Sequence, residues 1–320
     1  MRRYPRVVIL ITTMAAVAAC SSTPGTDPGS PSGSASGDPL TDKLAQVLDR
    51  GTLVGYWFPE YPPLSYEIEG AERPADTRCA ANQRTGAELT GYDVETTKLV
   101  AADLGVEACF VEMGWTEVTS GNWGDRFDIA YGSGSINEDR MERLWMTQPY
   151  FAVPNSYFVA EDSPYQEPSD LDGTEIGACA SCSHELYLRG ELVIPGVEIV
   201  PTVEDPQVVV YNGEIPGLRD AAKGKIDAFL CGDNVGEDQI EAGVPLRKLD
   251  GVAFTYYPSG FIDKSSGLEV AAFAERVNQI VQQAQADGRM VALSDEFFGT
   301  DYASAAAEYD IDALEQTYVG

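Results

Sequence analysis

Residues 91–112 read GYDVETTKLVAADLGVEACFVE. Gly91-Tyr92-Asp93 precedes a helical pattern that runs to Leu104, and Asp93 stands where an N-cap acceptor is expected. Gly105 supplies the stop, and residues 106–112 read as a strand. Upstream, residues 51–57 (GTLVGYW) read as another strand behind a short amphipathic helix over 40–49. Pro59, Pro62 and Pro63 forbid regular structure after it, which puts Tyr61 on a loop. The polar stretch 67–88, with Cys79, reads as a hairpin-like insertion. Downstream, residues 128–131 (DIAY) form an expected strand that ends at Gly132-Ser133-Gly134-Ser135. Strand, loop, helix, strand, loop, strand is the order of an α/β domain with a mainly parallel sheet.

The pattern restarts after Tyr150. A turn at 170–173 leads to a strand over 174–179, a helix around 185–189 and a strand over 197–200. A helix over 217–223, a strand over 226–231, a long helix over 267–287 closed by Gly288, and a shorter helix to Phe298 follow. No tandem repeat of roughly 20–50 residues runs through the chain. The two halves share an architecture and not a sequence.

With 320 residues, two domains are the natural expectation. Against 21 Lys and Arg stand 51 Asp and Glu, a formal charge of −30. A phosphate-binding protein needs a basic stripe, and this chain has none. The same charge argues against an electrostatic grip on anionic lipid. A single histidine, His184, argues against histidine-based metal sites and Ser-His-Asp catalysis; it lies beside the cleft expected below, where a surface or helix-end role is the ordinary one.

Arg2, Arg3 and Arg6 precede a mostly apolar run over 7–19, the pattern of a signal peptide over residues 1–19. The run is shorter than the ~20 residues a membrane-spanning helix needs. It ends Val17-Ala18-Ala19-Cys20, which resembles the lipobox of bacterial lipoproteins. The resemblance implies cleavage before Cys20 and lipid on that residue; an ordinary secretory peptide with an incidental cysteine is the alternative. Residues 20–39 are then the lipidated cysteine and a flexible tether rich in Ser, Gly and Pro. Five further cysteines remain. The expected bridges are Cys79–Cys109 and Cys179–Cys182, with Cys231 a buried thiol at a strand end. Cys231 paired with Cys179 or Cys182 stays open, as does a redox role for Cys179-Ala180-Ser181-Cys182, although an exported pair is ordinarily structural.

Several segments together resemble the extracellular solute-binding proteins of polar amino-acid uptake transporters, family 3. They are Arg50-Gly-Thr-Leu-Val-Gly55 with Tyr61-Pro-Pro-Leu-Ser-Tyr66, Gly91-Tyr-Asp-Val-Glu95 with Ala101-Ala-Asp-Leu-Gly105, and Trp115 with Phe127-Asp-Ile129 and residues 132–140. Thr147-Gln-Pro-Tyr150, Asp170-Leu-Asp-Gly173, Gly224-Lys-Ile-Asp-Ala228 and Ala286-Asp-Gly288 follow in register. The resemblance covers roughly residues 43–300. It implies two Rossmann-like α/β lobes joined by a two-strand hinge, the type II periplasmic binding protein fold. Lobe one comprises residues 40–151 and 254–320, the latter with the C-terminal tail, and lobe two comprises 152–253.

A zwitterionic ligand requires a cation, an anion and a side-chain pocket. The resemblance assigns the α-carboxylate to Arg140, whose guanidinium fork accepts a carboxylate through two parallel bonds. Ser133 and Ser135, two apart at a strand end, are expected to face one ligand. Asn137 stands where the family commonly has Thr, which makes contact there doubtful. Tyr61 and Trp115 match pocket walls, and Trp57 lies nearby. Ser183 matches a carboxylate-binding position at a helix start, and Asp233, one residue late, is the candidate for the ammonium. Glu60 and Glu112 are further acids whose entry into the pocket would set side-chain preference.

The resemblance therefore implies a non-enzymatic, cofactor-free, metal-free monomer. It binds a small carboxylate-bearing ligand, most simply an amino acid, between closing lobes. It hands the ligand to an ABC transporter permease and is held at the cell membrane, outside the cytoplasm, by its lipid anchor alone. A ligand-sensing module for a receptor and a dehydratase-like enzyme on the same fold are the alternatives.

Overall fold

The computed structural model describes residues 42–314 and 316. The expected signal peptide, Cys20 and the tether all lie outside the described residues, in 1–41. In chain order the elements begin with α1 (Lys43–Arg50), β1 (Thr52–Trp57), β2 (Tyr66–Glu67), β3 (Arg84–Thr85), β4 (Leu89–Thr90), α2 (Tyr92–Leu104) and β5 (Glu107–Glu112). Then come α3 (Trp115–Thr119), α4 (Glu138–Met141), β6 (Leu144–Pro149), β7 (Val153–Ala160), β8 (Glu175–Cys179) and α5 (Ser183–Leu188). The remainder is β9 (Gln207–Tyr211), α6 (Glu214–Ala221), β10 (Ala228–Gly232), α7 (Asp233–Glu241), β11 (Leu246–Lys248), β12 (Phe254–Tyr256), β13 (Ser259–Asp263), α8 (Ala271–Ala286), α9 (Arg289–Phe298) and α10 (Ala303–Ala306). Among the described residues no helix is long and apolar enough to cross a membrane.

The 91–112 unit forms as its sequence dictates, with one change. Gly91, not Asp93, precedes the first helical residue. Its φ of 119° is one that side-chain-bearing residues rarely adopt, and a Cβ there would stand 2.3 Å from the Leu64 carbonyl oxygen. The helix thus begins one residue past this close approach, and Asp93 turns inward. Gly105 closes the helix in the left-handed conformation. β1 and β5 pair in parallel, with β3 antiparallel on β5, and Cys79–Cys109 ties the polar insertion to β5.

The expected strand over 128–131 is only a pair of bridges, Gly55 to Ile129 and Ala130 to Phe261. Asp128 is instead anchored in place: it accepts from Val54 N–H and pairs with Lys43 and Arg50. Those two bridges link β1 to β13, which pairs antiparallel with β6.

The second sheet runs β11-β7-β10-β8-β9, with β12 also paired on β7. The strand expected over 197–200 is absent. That segment, set off by Pro195-Gly196 and Pro201, makes one bridge, Ile194 to Val197. β9, which the sequence reading did not assign, holds the sheet edge through parallel pairing with β8. Cys179–Cys182 is a disulfide and Cys231 a buried free thiol in β10.

The chain crosses between the sheets twice. It leaves from β6 into β7 and returns from β12 into β13. These strands run antiparallel, Tyr256 opposite Val153 and Ser259 opposite Pro149, with Tyr150 N–H bonded to the Pro258 carbonyl at 3.0 Å. An aromatic group of Tyr92, Tyr150, Phe151 and Phe298 packs beside this crossing, the Tyr92 and Tyr150 rings stacked at 5.6 Å. After the return, α8 packs against β6, α1 and α2 on the first sheet.

Candidate ligand-binding cleft

A cavity of about 850 Å³ opens between the two sheets beside the crossing strands. Six residues singled out from the sequence line it: Tyr61, Trp115, Ser133, Ser135, Arg140 and Ser183. The order of the fold brings them there. Tyr61 rides the proline loop after β1, Trp115 opens α3, the serines and Arg140 follow Ile129–Ala130, and Ser183 opens α5.

Arg140 is 2% exposed. Its Nη1 donates to the Ser135 carbonyl at 2.7 Å and its Nη2 to the Ser181 carbonyl at 2.8 Å. The guanidinium carbon lies 5.3 Å from the Trp115 ring and 5.6 Å from Phe261, within cation–π range. Burial lowers its pKa to about 10, so it stays charged at neutral pH. Among the described residues it forms no ion pair, and a buried cation without an anion is costly. Its remaining N–H groups are free for an anion at the cavity wall. Trp115 Nε1–H is likewise buried without a partner among the described residues.

Ser133 and Ser135 do not share a strand face. Ser133 has φ 58°, outside strand geometry, and its hydroxyl meets the Tyr256 hydroxyl at 3.2 Å. The Ser135 hydroxyl is occupied with Tyr257 N–H and the Ile136 carbonyl. Asn137 caps α4 through Arg140 N–H and reaches Ser183 Oγ at 3.4 Å. Ser183 sits at the first turn of α5, at the helix start where it was expected.

Asp233 is a correction. It lies in α7 and pairs with Lys248 at 2.8 Å, and it does not line the cavity. The helix that Asp233 opens, α7, packs against β11, which carries Lys248. Trp57 belongs to the apolar core and Glu112 is also off the cavity, whereas Glu60 lines it.

The buried acids of the cleft are Glu214 and Asp93. Glu214 opens α6 and receives the Tyr61 hydroxyl bond across the cleft. Burial raises its carboxyl to about 7, against the lowering effect of Tyr61. Burial raises Asp93 likewise to about 7, opposed by the Tyr150 hydroxyl bond. Glu214 had a sequence signal that went unused: Pro216 sits two residues later, and proline is tolerated in the first turn of a helix. A helix begun there, instead of at Gly217, puts Glu214 at its start.

His184 is buried and lines the cavity, and is not a surface residue. Burial first, and then the Arg140 charge, lower its pKa to about 3, so it is neutral. The cleft therefore offers one buried fixed cation and two buried carboxylates, with aromatic walls. That arrangement suits a zwitterion: carboxylate at Arg140, ammonium at an acid, side chain against Trp115 and Tyr61.

Residues 60–300 match the family model for bacterial extracellular solute-binding proteins, family 3. An L-cystine-binding protein of Escherichia coli (strain K12) is 25% identical over 260 residues, 81% of this chain and 86% of that protein. A cyclohexadienyl dehydratase of Pseudomonas aeruginosa is 27% identical over 209 residues, 64% of this chain and 66% of its own length. A protein solved with bound L-arginine superimposes with a TM-score of 0.66 at 16% identity, covering 83% of this chain and 98% of that one.

Proposed function

The chain belongs to the bacterial extracellular solute-binding proteins, family 3, and from that premise we propose that it captures an amino acid between its two lobes and delivers it to an ABC permease. The observation that carries the reading is Arg140: a buried guanidinium with no acidic partner among the described residues, facing a cavity whose far wall carries Glu214. The ligand carboxylate completes the Arg140 fork and its ammonium meets Glu214 or Asp93. Arg140 and Asp93 belong to lobe one and Glu214 to lobe two, so a ligand that also meets Glu214 favours the closed arrangement by the contact made only there. The protein works outside the cytoplasm, attached through lipid on Cys20, with residues 21–39 as the tether.

A thermal-shift series against single amino acids, beginning with L-cystine, L-arginine and neutral polar amino acids, tests the reading. Ligand at about 100 times its dissociation constant stabilises by about 2.7 kcal/mol. The expected result is one ligand class that raises Tm by several degrees in the wild type and not in Arg140→Gln. A response equal in both proteins, or none to any amino acid, overturns it.

One observation favours a second reading. A carboxyl held near 7 inside a cavity that also carries an arginine is what an acid-catalysed loss of water from a cyclic carboxylic acid requires. Release of an aromatic product from a cyclohexadienyl carboxylate, abolished in Glu214→Gln, would establish it.

A further inference from the structure

One wall of the cleft carries a group of side chains of which amino-acid capture uses only Glu214. The Asn155 amide donates Nδ2 to the Val153 and Phe254 carbonyls at 3.0 and 3.2 Å. That fixes its Oδ1 towards His184 Nε2, 2.6 Å away. An oxygen there can only accept, so Nε2 carries the ring proton and Nδ1 holds a lone pair. Nδ1 lies 3.6 Å from Cys179 Sγ and 3.7 Å from Glu214 Oε1. A disulfide sulfur has no proton to give, and 3.7 Å exceeds hydrogen-bond range. A buried imidazole nitrogen thus aims its lone pair into a cluster with no donor.

The donor atoms of Cys179, Cys182 and His184 all lie within 4.8 Å of one another. Glu214 Oε1, 4.0 Å from Cys179 Sγ, is placed to be the fourth. A tetrahedral zinc with Zn–S of about 2.3 Å and Zn–N of about 2.0 Å sets S···N at about 3.5 Å, close to the 3.6 Å found. His184 also has the outer bond typical of a metal ligand, its second ring N–H given to an amide oxygen. The cleft supplies the entry path, since Cys179, Cys182, His184 and Glu214 all line it.

We propose that Cys179 and Cys182, in their dithiol form, bind a zinc-like divalent cation together with His184 Nδ1 and Glu214, and that the disulfide is the metal-free state of the same site. The change needs a reductant, either a dithiol or a phosphine. With a trialkylphosphine, phosphorus attacks one sulfur and the other leaves as thiolate. Water then supplies the oxygen of the phosphine oxide and the protons of the two thiols. Cation binding releases both thiol protons to solvent without further redox change. The site shares Glu214 with the proposed amino-acid site, but its test is independent of amino-acid capture because its probe is the metal alone.

The test treats the full chain with one equivalent of a trialkylphosphine, maps the opened bridge by alkylation and mass spectrometry, and titrates with cobalt(II). Cys79 and Cys109 are buried away from the cleft and serve as the internal control. The expected result is one cobalt per reduced chain, with sulfur-to-metal absorption, tetrahedral d–d bands and a raised Tm. The oxidised protein and the double variant Cys179→Ser, Cys182→Ser bind none, and His184→Gln binds at least tenfold more weakly. No uptake by the reduced wild type, equal uptake by the double serine variant, or a reduced chain that is unfolded and stays so with cobalt overturns the proposal.

Discussion

Arg140 of the first lobe donates to the carbonyl of Ser181 in the second, Nη2 to oxygen, at 2.8 Å. The cation assigned to the ligand is therefore also a tie across the cleft. It reaches the loop closed by Cys179–Cys182, while Tyr61 and Glu214 form a second tie. The proposed ligand anchor and the closing contact are one side chain.

Arg140→Gln should weaken binding of a carboxylate-bearing ligand by about 10- to 150-fold, the range for losing a charge-assisted interaction of about 1.5–3 kcal/mol. An amine of the same shape without the carboxylate should bind wild type and variant alike. Calorimetry with that pair of ligands checks it, and an equal loss for both would assign Arg140 to lobe closure alone.

Glu214 and Asp233 should separate cleanly. Glu214→Gln is expected to lower affinity for an ammonium-bearing ligand about tenfold or more. Asp233→Asn, which weakens the pair with Lys248 away from the cavity, should change affinity less than about twofold. The reverse order would return the ammonium to Asp233.

Asp93 makes stability depend on pH. Its carboxyl is raised from 3.8 to about 7 by burial, so the native chain keeps a proton that the unfolded chain releases. The stability this contributes is whole below about pH 4, declines as pH rises towards 7, and is absent beyond. Asp93→Asn still offers an oxygen acceptor to the Tyr150 hydroxyl and removes this part of the slope, leaving that of Glu214. Urea melts at several pH values should show the variant gaining on wild type between pH 4 and 7, and a gap independent of pH would contradict the assignment.

Asp128 is 2% exposed and paired with Lys43, itself 2% exposed. Asp128→Ala leaves that lysine buried without an anion and should cost about 3–5 kcal/mol. It should leave affinity unchanged in the protein that remains folded. Chemical denaturation beside a binding isotherm measures both.

Legibility followed the range of the interactions involved. The helix over 92–104 and the strand after it were readable because capping, periodicity and a glycine stop act within a few residues. The displaced cap was not: Gly91 is required by the backbone of Leu64, which local pattern does not show. Residues 128–131 read as a strand because Ile129, Ala130 and Tyr131 form a short apolar run that ends at glycine. Their pairing is limited to single bridges because Asp128 is held by groups far away in sequence.

The site divides in the same way. Arg140, Tyr61, Trp115 and Ser183 were found by register within a family pattern. Glu214 and His184 were not, since their importance arises from burial and from neighbours such as Tyr61 and Asn155. Sequence alone determined the α/β class through chain-local propensity; the family resemblance added the two crossings and the cation of the cleft, and Cys79–Cys109 and Cys179–Cys182 were the favoured pairings with Cys231 left open. Only tertiary structure decided which acid faces that cation, that Asp233 is spent on Lys248, and that His184 aims a lone pair at Cys179. Those facts depend on where separate helix starts meet in a buried cavity, where low polarity makes each unpaired group matter.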